Sequence, residues 1–235
     1  MGALMEGVDT HLRRLGFALR HLHYSAEELH WWGVHLALTL SRGGRLLTAG
    51  NGGSAADAQH LVGELVGRFR DHDRPPLSAL ALTADGVVNS AIANDFDYRT
   101  VFARQVRAHA RSGDVVVLIS TSGASPNMLA AAQAATEVGA QPWGLTGPAP
   151  NPLARLCTRL VAVPVADTQI VQEVHQVAIH LFCGFVEEML TDVRRTHALA
   201  HLEQTRALAR AAGPDPDGAA LTPRPQEHLP AWSPR

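Results

Sequence analysis

The chain has 235 residues and a mass of 25.1 kDa, room for one large domain with appendages but not for two full catalytic domains. With 46% hydrophobic and 18% charged residues, a mean hydropathy of -0.02 and a formal net charge of -2, it reads as a folded globular protein with no electrostatic excess to draw it to nucleic acid or an anionic membrane. No segment reaches the roughly 18 consecutive apolar residues of a membrane span, the opening MGALMEGVDTHLRRLG lacks a signal-peptide stretch, and Cys157 and Cys183 form no CxxC pair, so a cytoplasmic protein with free, buried thiols is expected.

Ser25-Ala-Glu-Glu28 has the form of a capping box, and Leu29, Trp32, Leu36 and Leu40 recur at helical spacing behind it until Gly43-Gly44. Five short apolar runs follow, at 46–49, 79–82, 115–119, 143–145 and 160–165; they are too short for helices and read as buried strands. Helical patterns fill the gaps over 55–66, over 87–110 with a break near Asn94-Asp95, and over 126–138 with Gly139 as the stop. Such alternation predicts an α/β fold, a five-stranded parallel sheet with helices on both faces. A last core helix is expected over 171–190, completing one domain over 1–190 that includes N-terminal helices. Residues 191–212, rich in Ala, Leu and Arg, read as a helical extension, and 213–235, with six prolines, as a disordered tail.

Two strand ends carry the polar chemistry. Leu46-Leu-Thr-Ala-Gly-Asn-Gly-Gly-Ser54 is a strand, a glycine-rich turn and a helix start, whose free N–H groups favour an anion such as phosphate; it is neither a dinucleotide GxGxxG nor a Walker loop, and a tight connection alone would also use these glycines. Ile119-Ser-Thr-Ser-Gly-Ala-Ser-Pro126 sets four hydroxyls around a glycine at the next such junction. Ser125 by itself reads as a plain N-cap, but Ser120, Thr121 and Ser122 exceed what capping needs, and the two junctions together suit a phosphorylated sugar. His60 and Glu64 stand four apart, so both project from one helix face, expected to look toward the strand ends, where they can share a metal or a proton or simply make an i,i+4 contact. Gln172 and His180 lie about two turns apart on the late helix, where a lone histidine is ordinarily a satisfied core residue.

The motifs GNGGSAADAQHxxxE, AIANDFDY, ISTSGxS and QEVHxxxxH, in this order, resemble those of the sedoheptulose 7-phosphate isomerases (phosphoheptose isomerases) of the SIS, or sugar isomerase, superfamily, over roughly residues 10 to 190. The resemblance implies a homotetramer with active sites at subunit interfaces and one zinc per subunit, held by His60, Glu64, Gln172 and His180. It implies acid–base work for Glu64 and His180 in interconverting a 2-ketose and an aldose through an enediol, chemistry that suits a carboxylate and an imidazole. It also places substrate contacts on Asn51, Gly52, Gly53, Ser54, Glu64, Asn94, Asp95, Ser120, Thr121, Ser122, Ser125 and Gln172, although Asp95 can equally be a helix cap. Two positions depart from the family pattern: Ala124 stands for an asparagine and Ile170 for an arginine. The implied activity is conversion of sedoheptulose 7-phosphate to D-glycero-D-manno-heptose 7-phosphate. The rival is a non-catalytic sugar-phosphate-binding or partner-binding regulator of the replication-initiator-associating type, which lacks the acid–base pair; the presence of Glu64 and His180 favours the enzyme.

Overall fold

In a computed structural model the described residues are 2–211. Helix α1 (Gly2–Leu22) leads through a short 3-10 turn (His23–Ser25) into α2 (Ala26–Ser41). Then come β1 (Leu46–Gly50), α3 (Gly53–Val66), β2 (Ala79–Ala81), α4 (Gly86–Asp95), a second 3-10 turn (Tyr98–Thr100) and α5 (Val101–His109). The chain continues with β3 (Val115–Ser120), α6 (Pro126–Glu137), β4 (Gln141–Thr146), β5 (Arg159–Ala162) and α7 (Thr168–Ala211). A compact unit extends to Val193, and the described chain beyond it is the last part of α7; the expected tail at 213–235 lies outside the described residues. Among the described residues no helix is long and apolar enough to cross a membrane.

All five strands pair in parallel in the order β2-β1-β3-β4-β5. Every residue of β1 and β3 is buried, which is why these strands read as unbroken apolar runs: helices cover both sheet faces. Alternation along β3 divides the core. Val115, Val117 and Ile119 pack with Leu29, Trp32, Leu61, Val174 and Phe182 from α2, α3 and α7, while Val116 and Leu118 pack with Phe102, Val106, Met128 and Ala131 from α5 and α6. Trp32 and Trp143, both fully buried, meet with ring centroids 5.1 Å apart, and Phe182 stands edge-on to Trp32 at 5.7 Å. Truncating a core aromatic of this kind costs roughly 3–5 kcal/mol, so this three-ring contact is a main anchor of α2 and α7 on the sheet.

Two local expectations are corrected. Ser25 makes no side-chain cap, because at φ -96° and ψ 5° it continues the 3-10 turn instead of taking the extended backbone from which an N-cap hydroxyl reaches the second and third N–H groups of the helix. The Glu28 carboxylate instead accepts from Trp32 Nε1 at 2.8 Å and pairs with Arg159 at 3.2 Å. Nor is Asp95 a cap: it is the last residue of α4, while Asp85 caps that helix and Asp97 caps the following turn through the N–H of Arg99.

Candidate active site

From β1 the chain crosses to β2 on one side and later to β3 on the other, so the strand order reverses between β1 and β3. In open α/β sheets ligands bind at such a reversal, outside the carboxyl ends of the strands. Both polar junctions found in the sequence open there, one after Gly50 and one after Ser120. Gly52 takes φ +56° at the start of α3, a conformation that favours glycine, and neither Gly52 nor Ser125, at the start of α6, caps its helix with a side chain. The helix starts therefore aim unsatisfied N–H groups and the positive ends of two helix dipoles at one crevice, a neutral cradle suited to an anion.

Hydroxyls and amides shape this cradle. Ser120 Oγ accepts from the Gly123 N–H at 3.1 Å and Ser122 Oγ from the Ala124 N–H at 3.2 Å. Turn capping thus falls to Ser120 and Ser122 rather than to Ser125, and each capping hydroxyl keeps its O–H to donate. Gly123, at φ +60°, closes the turn, and its carbonyl accepts from the Leu153 N–H at 2.8 Å. Asn51 is bound to a residue that carried no sequence signal. Its Nδ2 donates to Asn127 Oδ1 at 2.9 Å, and its Oδ1 accepts from Asn127 Nδ2 at 2.8 Å and from the Tyr98 hydroxyl at 3.2 Å. Asn94 and Asp95 bond to each other at 2.8 Å on the exposed end of α4, shortly before Tyr98.

The second group of side chains lies along α3 and α7, which run side by side in the same direction. Gln172 packs on Gly53, where a Cβ would come within 2.4 Å of its Nε2; Gln176 donates to Asp57; and His180 meets His60. His60 and Glu64 thus face α7 and not the strand ends, because they come seven and eleven residues after Gly53, about 10 and 16 Å along the helix. His60 Nε2 is 2.9 Å from His180 Nε2 and 3.6 Å from Glu64 Oε1, and ligand atoms of His60, Glu64 and His180 all fall within 4.8 Å of one another. Two imidazole nitrogens turned toward each other beside a carboxylate fit a divalent cation. Bonds of about 2 Å in a tetrahedron place donors about 3.3 Å apart, and nitrogen and oxygen donors without thiolate suit such a cation. Gln172 is on the cradle side of this cluster.

Buried groups support it. Arg74, its guanidinium almost fully enclosed, pairs with Glu187 on α7 at 3.2 Å and donates to the carbonyls of Glu64 and Leu65 at 2.9 and 2.8 Å, tying the last turn of α3 to α7. Burial raises the Asp57 carboxyl above the usual carboxylate range, against the hydrogen bond from Gln176 and the charge of His60. Burial also pushes the Cys183 thiol up and the Cys157 thiol up to about 12, so neither is a nucleophile. The His175 imidazole, wholly buried against the backbone of Thr146, is held down to about 4 by burial and is neutral. A cavity of about 580 Å³ opens beside His180, lined by Arg70, Phe185 and Glu187 among others. Ile170 is buried in the core, and Ala124 sits on the exposed turn.

The doubly wound sheet, the anion cradle at its reversal point and the imidazole–carboxylate cluster together define a sugar-isomerase-type domain, and residues 19–147 match the SIS domain family. Among solved structures, the phosphoheptose isomerase of Neisseria gonorrhoeae superposes with a TM-score of 0.73 at 36% identity, over 79% of this chain and 99% of that one. The Francisella tularensis phosphoheptose isomerase gives 0.74 at 27% identity, over 78% and 98%. The phosphoheptose isomerase of Streptomyces coelicolor is 51% identical over 206 residues, 88% of this chain and 84% of its own length; that of Desulfovibrio desulfuricans is 48% identical over 188 residues, 79% and 89%. The chain belongs to the phosphoheptose isomerase family.

Proposed function

We propose that this chain converts sedoheptulose 7-phosphate to D-glycero-D-manno-heptose 7-phosphate. The observation that carries the reading is the convergence of Glu64, His180 and His60 at one point, on helices that also flank an uncapped anion cradle. The phosphate would sit on the helix starts, with Asn51, Gly52, Gly53, Ser54, Ser120, Thr121, Ser122 and Ser125 around it, and with Asn94, Asp95 and Gln172 along the sugar. A seven-carbon phosphate has its reacting carbons at the end away from the phosphate, which suits a cradle and a cluster whose α3 members, His60 and Glu64, lie about 10 and 16 Å further along that helix. Glu64 takes a proton from C1 of the ketose and returns it to C2, and His180 moves the other proton from O1 to O2, so the enediol forms and collapses with no net gain or loss of protons. His60, Glu64 and His180, whose ligand atoms converge, would hold zinc, which when bound polarises the carbonyl oxygen, and Gln172 would join them only by turning its amide from Gly53 toward the cluster.

Exposed Val177 and Leu181 flank His180, and exposed Val87 and Phe96 belong to α4 and the corner beyond it. Apolar side chains so placed support a homotetramer in which neighbouring copies cover them and shield the site from water; light scattering tests the assembly. The activity is tested by incubating the purified protein with sedoheptulose 7-phosphate and following the aldose by NMR. Formation of the heptose 7-phosphate is the expected result, and a zinc-loaded chain that leaves the ketose untouched would refute the reading.

A further inference from the structure

Asn127 was not among the candidate residues, yet only 2% of it is exposed and its side-chain amide is spent on Asn51. The two amides exchange both possible hydrogen bonds, joining the glycine turn after β1 to the first turn of α6 across the point where the strand order reverses. Tyr98, reaching over from the corner after α4, takes the second lone pair of Asn51 Oδ1. A side-chain amide has two donors and two acceptor sites; Asn51 has used both acceptor sites and one donor, leaving one N–H. An amide fastened on three sides cannot turn to offer its oxygen without breaking a buried pair.

We infer that Asn127 is a positioning residue. With Tyr98 it locks Asn51 as a single-donor group that binds an acceptor oxygen of the substrate, and it fixes the spacing of the two halves of the cradle. The inference rests on the sugar-phosphate reading of that cradle, and it assigns Asn127 no contact with the reacting carbons.

A double-mutant cycle separates positioning from general support. N127A is expected to lower kcat/KM about tenfold through KM, with kcat within threefold of the parent, because Asn51 binds and moves no proton. In an N51A background the same substitution should change kcat/KM by less than twofold, since the residue through which it acts is gone. Y98F removes one exposed hydroxyl, so it is safe for folding should N127A not be; it is expected to cost about threefold in the parent and nothing in N51A. A loss from N127A or Y98F that is equal in both backgrounds, a loss confined to kcat, or no loss in the parent would overturn the inference. If the parent itself does not turn over sedoheptulose 7-phosphate, the isomerase reading fails separately. The same cycle is then read as the Kd for inorganic phosphate, with the same expectation of loss in the parent and none in N51A.

Discussion

The cradle at the ends of β1 and β3 and the cluster along α3 and α7 solve different problems with different materials. The cradle is neutral: backbone N–H groups, serine hydroxyls and a reciprocal amide pair, all on connections whose positions are set by buried central strands. The cluster is ionisable, spread over two helix faces and open to solvent, and it depends on the buried Arg74–Glu187 pair to hold those helices together. A neutral, rigid site binds an anion without changing protonation, whereas proton transfer needs groups that titrate and that substrate can reach. Changes in one region should therefore alter binding, and changes in the other turnover.

The largest effect expected from that division is at Glu64. Replacing it with glutamine keeps the shape but removes the base, and turnover should fall by about 10³-fold or more while the Kd for inorganic phosphate stays within threefold. Parallel loss of phosphate affinity, read by calorimetry, would erase the distinction between the regions.

His175, buried on α7 against the backbone of Thr146 at the end of β4, sharpens the comparison from the core. Its folded pKa of about 4 lies below the ordinary 6.5, so the unfolded chain binds the proton first. Its contribution to stability is intact above about pH 6.5, falls as pH drops toward 4, and falls no further below that. The accumulated loss is up to about 3 kcal/mol. H175L should therefore flatten the acid side of the curve of unfolding free energy against pH between 6.5 and 4. An unchanged acid limb would show that another group controls it.

A smaller effect than that of Glu64 belongs to a single cradle hydroxyl. S122A removes one donor among several and one turn cap, and should raise KM about tenfold with kcat nearly unchanged. A collapse of kcat would make the hydroxyl part of the chemistry.

These two regions were unequally legible in the sequence. All five apolar runs overlap strands: the central β1, β3 and β4 are buried on both faces and leave an uninterrupted apolar signature, and the edge strands β2 and β5 are apolar in sequence although only partly buried. Both cradle turns were visible as well, since glycine and serine clusters at strand ends are local patterns. The cluster was not local: from spacing alone His60 and Glu64 read as readily as a surface pair, and only the family resemblance joined His180 to them, because the contact that α7 makes, 2.9 Å between His60 and His180, spans 120 residues. Asn127 was missed for the same reason, as its partner lies 76 residues away and nothing in its neighbours marks it. Ser25-Ala-Glu-Glu28 misled in the other direction, a good local pattern in a place where the preceding 3-10 turn holds Ser25 out of the extended backbone that a cap needs.

The central claim is that Glu64 and His180 move protons on a sugar phosphate held by the cradle. Turnover of sedoheptulose 7-phosphate in deuterated water, with the aldose product read by NMR, tests it most directly. The expected product is a heptose 7-phosphate carrying deuterium at C2, in part or in full according to how well the base is shielded, with no product from E64Q. Product with no deuterium at C2, formed as fast by E64Q as by the parent, would contradict it.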